Sequence, residues 1–319
     1  DQRGRFVTAQ SRRPFSGLLR ANPVTLKELR GRMRGTRAFV VMTIYLLLMS
    51  GFALLLYVLY SAAVSGDGSI QGGQIGRTLF TGIVGVELFL VTFIVPAFTS
   101  VAITGEREKQ TYDLLRTTLL SPRALVMGKL LSALSYIFLL LLAAVPLQSV
   151  AFLFGGVSEG ELALAFVILL VTAIALGTIG LYFSSTMKRT QAASIATYGF
   201  ALLITIGLPV ILVVLFSVIA PFFLALSGTS LSAPVQAALT YGFGLLISTN
   251  PLATAYTSQY LLVNQHQIGF FTQVVSSSGV TLNLPLVSPW IVFTVFYLLL
   301  SAVLIVASIR RVGRIEGAP

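Results

Sequence analysis

The 319-residue sequence contains no cysteine and only one histidine, His266. The lack of cysteine excludes disulfides, thiol nucleophiles and thiolate-bound metals. One histidine cannot form a histidine-rich metal site, and in the polar stretch "NQHQ" we expect His266 to be solvated or hydrogen-bonded. No Ser/His/Asp set or metal-ligand spacing is visible either, so we expect no catalytic site, no metal site and no cofactor.

Charged residues are also scarce. They make up 10% of the chain, whereas a soluble domain carries about 25%. Hydrophobic residues make up 56%, so a lipid bilayer is the expected solvent. The net charge of +11 could indicate nucleic acid, but the basic residues cluster at the ends of hydrophobic runs and form no binding face. We therefore expect contacts with membrane lipids and none with nucleic acid.

The phosphate-binding motif G-x-x-x-x-G-K-[ST] is absent. Gly128-Lys129 is followed by leucine and lacks the upstream glycine. The chain is therefore not predicted to be an enzyme, and it cannot hydrolyse ATP by itself.

Long runs with almost no Asp, Glu, Lys or Arg predict the fold. They cover residues 38–66, 78–105, 130–158, 162–187 and 190–309. Glu87 is the one exception inside them, and the last run of 120 residues holds at least two spans. A span needs about 20 apolar residues. We predict an all-α integral membrane protein with six transmembrane helices, at 38–62, 78–104, 130–154, 161–185, 194–226 and 289–309. The fifth is long and contains Pro209, so we expect a tilt or kink there.

Basic residues indicate the orientation. Of 21 Lys and Arg, 20 lie in segments that six spans place on one side: 1–37, 105–129, 186–193 and the C-terminal tail. This pattern predicts that both termini are cytoplasmic. A seventh span through the short run 235–249 would move the basic tail outside. We therefore predict an extracytoplasmic loop, 227–288, with short or re-entrant helices.

Two cytoplasmic segments carry most of the charge. In 21–39, Asn22 and Pro23 are typical of a helix start, and a basic stripe lies beside an apolar face. This predicts an interfacial amphipathic helix, although a simple positive-inside anchor is an equal alternative. Its polar residues are Lys27, Glu28, Arg30, Arg34 and Arg37.

The second segment is "TGEREKQTYDLL", residues 104–115, in the loop 105–129. Its acids and bases alternate, whereas lipid headgroups alone would favour Lys and Arg. Thr111 can cap a short helix, and Ser121-Pro122 can start the next one. We interpret the segment as a helix that offers polar side chains to a protein partner; an ordinary solvated loop is the alternative.

Several stretches resemble the permease subunits of ABC-2-type transporters. "PAFTSVAITGEREKQTYDLLRTTLLSPRALVMGKLLSAL" is similar to that family's segment between spans two and three, although Leu120 stands where the family usually has proline. Further similar stretches are "NPVTLKELRGRMRGTRAF", "FGGVS", "GLYFSSTMKRTQAA" and "NPLATAY". The resemblance covers most of the chain in order.

The resemblance implies a half-transporter in a prokaryotic cytoplasmic (inner) membrane. It implies pairing with a second permease copy or a paralogue, and docking of cytoplasmic ABC ATPase subunits on loop 105–129. The coupling residues that it implies are Glu106, Arg107, Glu108, Lys109, Tyr112 and Arg116. Reversing the charges at Glu106 and Arg107 is then expected to uncouple ATP hydrolysis from transport.

Glu87 lies near mid-depth in the second predicted span. No Lys or Arg lies at a matching depth, so we expect a protonated, hydrogen-bonded carboxyl. It could line a substrate path, or bond a neighbouring helix through Gln148 or Thr172. Gly82 and Gly85 slightly favour helix packing.

Two other functions are alternatives to the transporter. A non-transporting accessory or structural subunit of a larger membrane complex, with other integral subunits as partners, could keep the same loop residues. Ion-driven secondary transport is disfavoured, because the spans hold one carboxyl and no inverted repeat is apparent. The apolar spans favour a hydrophobic or amphipathic substrate.

Overall fold

The structure is a computed structural model that describes residues 36–64, 72–112, 121–211, 213–214, 217–218, 233–277 and 280–313. Its elements, in chain order, are α1 (Thr36–Val64), α2 (Gly72–Thr99), α3 (Thr104–Glu108), α4 (Pro122–Leu153), α5 (Glu159–Thr186), α6 (Thr190–Leu202) with a π-helical continuation (Leu203–Gly207), α7 (Ala233–Ile247), α8 (Pro251–Gln265), β1 (Phe270–Ser277), β2 (Val280–Val287) and α9 (Pro289–Gly313).

Six of the described helices are long and apolar enough to cross a membrane: α1, α2, α4, α5, α6 with its continuation, and α9. This agrees with the six predicted spans, and the chain is a helical membrane protein. Helix α5 lies at the centre and contacts α2, α4, α6, α8 and α9. Helix α1 packs mainly on α2 and exposes many apolar side chains.

Polar caps set where the helices begin. Ser121 accepts a hydrogen bond from the Ala124 N–H and precedes Pro122, the first residue of α4, as the sequence predicted. Ser158 and Glu161 form a reciprocal capping box at the start of α5. These caps satisfy N–H groups that have no partner within the helix.

The π-helical segment lies just before Pro209, where we expected a tilt or kink. Proline has no N–H, so it cannot donate to a carbonyl in the preceding turn. The Asn250 side-chain amide donates to Ile204 O at 2.6 Å and to Thr205 O at 3.1 Å. The Asn250 Oδ1 atom also accepts from the Ala253 N–H at 2.8 Å and caps α8. The Asn250 side chain therefore contacts the π-helical segment and also caps α8.

The described part of the predicted extracytoplasmic loop contains two helices and a hairpin. Helix α7 covers most of the short run 235–249, and α8 follows it. Strands β1 and β2 pair antiparallel, from Phe270 opposite Val287 to Ser277 opposite Val280. The hairpin was not predicted, since we expected short helices and turns there. The end of the bundle that carries it is called the hairpin end, and the opposite end is called the α3 end.

Some predictions lie outside the described residues. They include the interfacial helix with Lys27, Glu28, Arg30 and Arg34, most of the coupling helix with Arg116, and the last part of the span predicted at 194–226. Arg37 lies in the first turn of α1.

Candidate functional site

Helix α3 carries the first five residues of the charged segment singled out in the sequence, and α5 binds its start. The residue before α3, Ile103, offers no side-chain cap. Instead, the Ser184 hydroxyl oxygen of α5 accepts from the Ile103 N–H at 2.9 Å and from the Thr104 N–H at 3.1 Å. Ser184 is fully buried. Because α5 is the central helix, α3 is fastened directly to the core of the bundle.

Glu106 joins α3 to α4. Its Oε1 atom lies 3.0 Å from Lys129 Nζ, and its Oε2 atom accepts a short hydrogen bond from the Thr111 hydroxyl. Lys129 is only 4% exposed, so a buried ammonium faces this carboxylate. Burial alone would raise the pKa of Glu106. The hydrogen bonds from Thr111 and Lys129 and the nearby lysine charges outweigh burial, so the pKa is lowered. The ionised pair therefore stabilises the fold near neutral pH, and this contribution is lost as the pH falls through the lowered pKa.

Arg107 joins α3 to the end of α5. Its guanidinium donates to Met187 O at 2.9 Å and to Ser185 O at 3.3 Å. The guanidinium carbon also lies 4.9 Å from the ring centroid of Tyr112, which is buried. A cation at the carbonyl end of a helix is favoured by the helix dipole. Arg107 therefore binds α3 to the turn between α5 and α6.

Glu108 joins α3 to the start of α6. Its Oε1 atom accepts from the Thr190 N–H at 2.7 Å. This backbone hydrogen bond lowers the pKa of Glu108. The carboxylate supplies the N-terminal cap of α6, because Arg189, the residue before the helix, makes no side-chain cap.

The next two residues face outward. Lys109 and Gln110 are exposed, and Gln110 has a left-handed backbone with φ of 58°. The predicted coupling residues therefore divide into two groups. Glu106, Arg107, Glu108 and Tyr112 contact the chain's own helices, and Lys109 is exposed at the surface. No described contact tests whether any of them meets an ATPase.

Sequence reasoning missed the partners of α3. Ser184, Thr190 and Lys129 bind α3 from 23 to 82 residues away in the chain. From the sequence, Lys129 was only one of the basic residues of loop 105–129. No local pattern indicates such partners, because they meet only when the helices pack.

Glu87 lies inside the bundle and is 1% exposed. Tyr45 of α1 donates to Glu87 Oε1 at 3.3 Å, and Gln148 of α4 donates to Glu87 Oε2 at 2.6 Å. Gln148 is one of the two partners that the sequence predicts; the other, Thr172, donates to its own helix at Ile168 O. Since both carboxyl oxygens bind neighbouring helices, this geometry favours packing of α1 and α4 on α2.

We expect Glu87→Leu to lower stability by about 2 kcal/mol, because it leaves two buried donors without an acceptor. Glu87→Gln keeps an amide of similar size and is expected to remain near the wild-type stability. Thermal unfolding of both variants in the same detergent measures this difference. If Glu87→Gln were as unstable as Glu87→Leu, a carboxyl would be required and the packing role would be wrong.

The described residues contain no group of three or more His, Asp or Glu side chains that could hold a metal ion. His266 ends α8 in a left-handed conformation, with φ of 53°. A scan against protein-family models finds no match to this chain. A search of curated proteins likewise finds none.

Proposed function

We propose that the chain is the transmembrane subunit of an ATP-driven ABC-2-type transporter, with a hydrophobic or amphipathic substrate. The observation that carries the proposal is the attachment of α3 to three helices at once. Glu106 binds α4, Arg107 binds the end of α5, and Glu108 binds the start of α6. A displacement of this short helix would therefore be transmitted to α4, α5 and α6 through direct contacts.

The proposal assigns ATP hydrolysis to a separate cytoplasmic subunit, since the sequence lacks a phosphate-binding motif. This subunit docks at the α3 end, where Lys109 and Gln110 are exposed. Glu106, Arg107 and Glu108 then relay the movement, and the exposed residues make the contact. A second permease copy or a paralogue completes the transporter, and both termini lie in the cytoplasm of a prokaryotic cell.

Gentle extraction in a polymer disc, followed by identification of the bound proteins, tests the proposal. We expect a nucleotide-binding ATPase at one copy per permease. Integral membrane proteins without an ATPase would contradict the proposal and would favour the accessory-subunit alternative.

A further inference from the structure

A cavity of about 270 Å³ lies between α2, α5 and α8, toward the hairpin end. Its walls are mainly apolar and are formed by Phe80, Val84, Leu88, Leu164, Ile168 and Leu252, among others. The volume is near the lower end of the range for small-ligand pockets. From Glu161 to Ile168 the cavity follows seven residues of α5, which correspond to about 10 Å of helix.

One end of this cavity is polar and carries a chain of hydrogen bonds. The Thr81 hydroxyl oxygen lies 3.2 Å from Gln259 Oε1 and 2.9 Å from Arg77 O, and Gln259 donates to Glu161 Oε2 at 3.1 Å. The Ser158 N–H and hydroxyl both donate to Glu161 Oε1 at 3.0 Å. Glu161 is 4% exposed, so a carboxyl group is buried at the cavity end.

Hydrogen-bond donors surround the carboxyl group of Glu161. Three donors point at its two oxygens, which together offer about four lone-pair sites. One acceptor site therefore remains. No Lys or Arg of the described ranges forms an ion pair with Glu161. At the hairpin end, the side chain of Arg77 donates to Gly156 O and not to Glu161. An open acceptor site on a buried carboxyl group at the end of an apolar cavity suits an ammonium group, which offers only N–H donors.

We propose that this cavity binds cationic amphipathic molecules, with an ammonium group beside Glu161 and an aliphatic or aromatic body along the apolar walls. The ammonium would lie at the end where α5 begins, and the apolar body would point toward the middle of the bundle. Such an orientation matches that of an amphiphile in a bilayer leaflet. Naming this class as the transported substrate rests on the proposed function, whereas binding itself does not.

The test measures binding of radiolabelled decylammonium to the full chain in discs of phosphatidylglycerol, a lipid without an ammonium group. We expect saturable binding of one molecule per chain, and none of a decyl sulfonate probe. Glu161→Gln is expected to weaken binding at least about tenfold. Glutamine also serves at this position of a capping box, so this variant keeps the start of α5.

Two further variants make the result specific. Glu159→Gln removes an exposed charge in the same helical turn and is expected to bind like the wild type. Gly85→Leu adds a side chain at a cavity-lining position where a Cβ meets no atom within 4 Å, so it is expected to fill the cavity and abolish binding. Equal binding by the wild type and Glu161→Gln, or binding that does not saturate, would overturn the proposal.

The source of the ammonium group can be distinguished in the same assay. Competition by added phosphatidylethanolamine identifies an aminophospholipid as a natural occupant, and lack of competition identifies a non-lipid amphiphile; either result supports recognition of an ammonium. Because the assay needs no ATPase, its failure would leave the proposed function untouched. Conversely, failure to find an ATPase would not affect this binding result.

Discussion

Gly76→Ala is expected to destabilise the protein by about 3 kcal/mol. A Cβ at position 76 would overlap the Gly155 carbonyl oxygen and would lie 2.6 Å from Ala151 O. Both atoms are backbone, so neither can move aside as a side chain could. Gly155 and Gly156 also have positive φ values of 85° and 79°, which glycine adopts without strain.

Gly85→Ala is the matched control. It lies in the same helix, and its Cβ would meet no atom within 4 Å. Alanine is a better helix former than glycine, so this variant is expected to be unchanged or stabilised by up to about 1 kcal/mol. Thermal unfolding of the two variants in one detergent gives the comparison. Changes in stability of the same sign and size in the two variants would show that α2 and the turn after α4 do not make this close contact.

The second large effect is expected at the pair of Glu106 and Lys129. Glu106→Lys places two positive charges together where Lys129 is buried, and is expected to cost about 3 kcal/mol. This value is the lower end of the range for buried pairs, because the Glu106 side chain is 29% exposed. The double variant with Lys129→Glu restores opposite charges and is expected to recover part of the loss.

A double-mutant cycle on thermal stability measures this coupling. A clearly favourable coupling energy is expected for the swapped pair. Additive effects of the two substitutions would mean that the charges do not interact, and α3 would then be attached to α4 in another way. Under the proposed function, Glu106→Lys also weakens the link between ATP hydrolysis and transport.

The spans were predictable because their signal is local. An uncharged run of about 20 residues has few alternatives to a membrane helix, and Ser121-Pro122 indicated the start of α4 by its own chemistry. Glu87 was also conspicuous, since a carboxyl at mid-depth needs a partner. Gln148 could be suggested from its depth, but Tyr45 was missed because tyrosine is common in membrane helices.

The contacts of α3 depend on packing between distant helices. The interpretation that Glu106 and Arg107 face a partner came from their charge and from the family resemblance. In the structure, Glu106 contacts α4 and Arg107 contacts the end of α5, and these partners are brought close only by the folded bundle. The hairpin was missed for a related reason. Its uncharged Ser, Gly and Pro residues were interpreted as turns between short helices, although strands need only local alternation and a turn.

The most direct test of the account is photo-cross-linking in the native membrane from Lys109, the residue that follows α3. A photoactivatable phenylalanine analogue replaces Lys109, which is exposed, and the same analogue replaces Tyr57 on the exposed face of α1 as the control. The account predicts an adduct with a nucleotide-binding subunit from position 109 and none from position 57. No adduct from position 109, or an adduct only with an integral membrane protein, would contradict it.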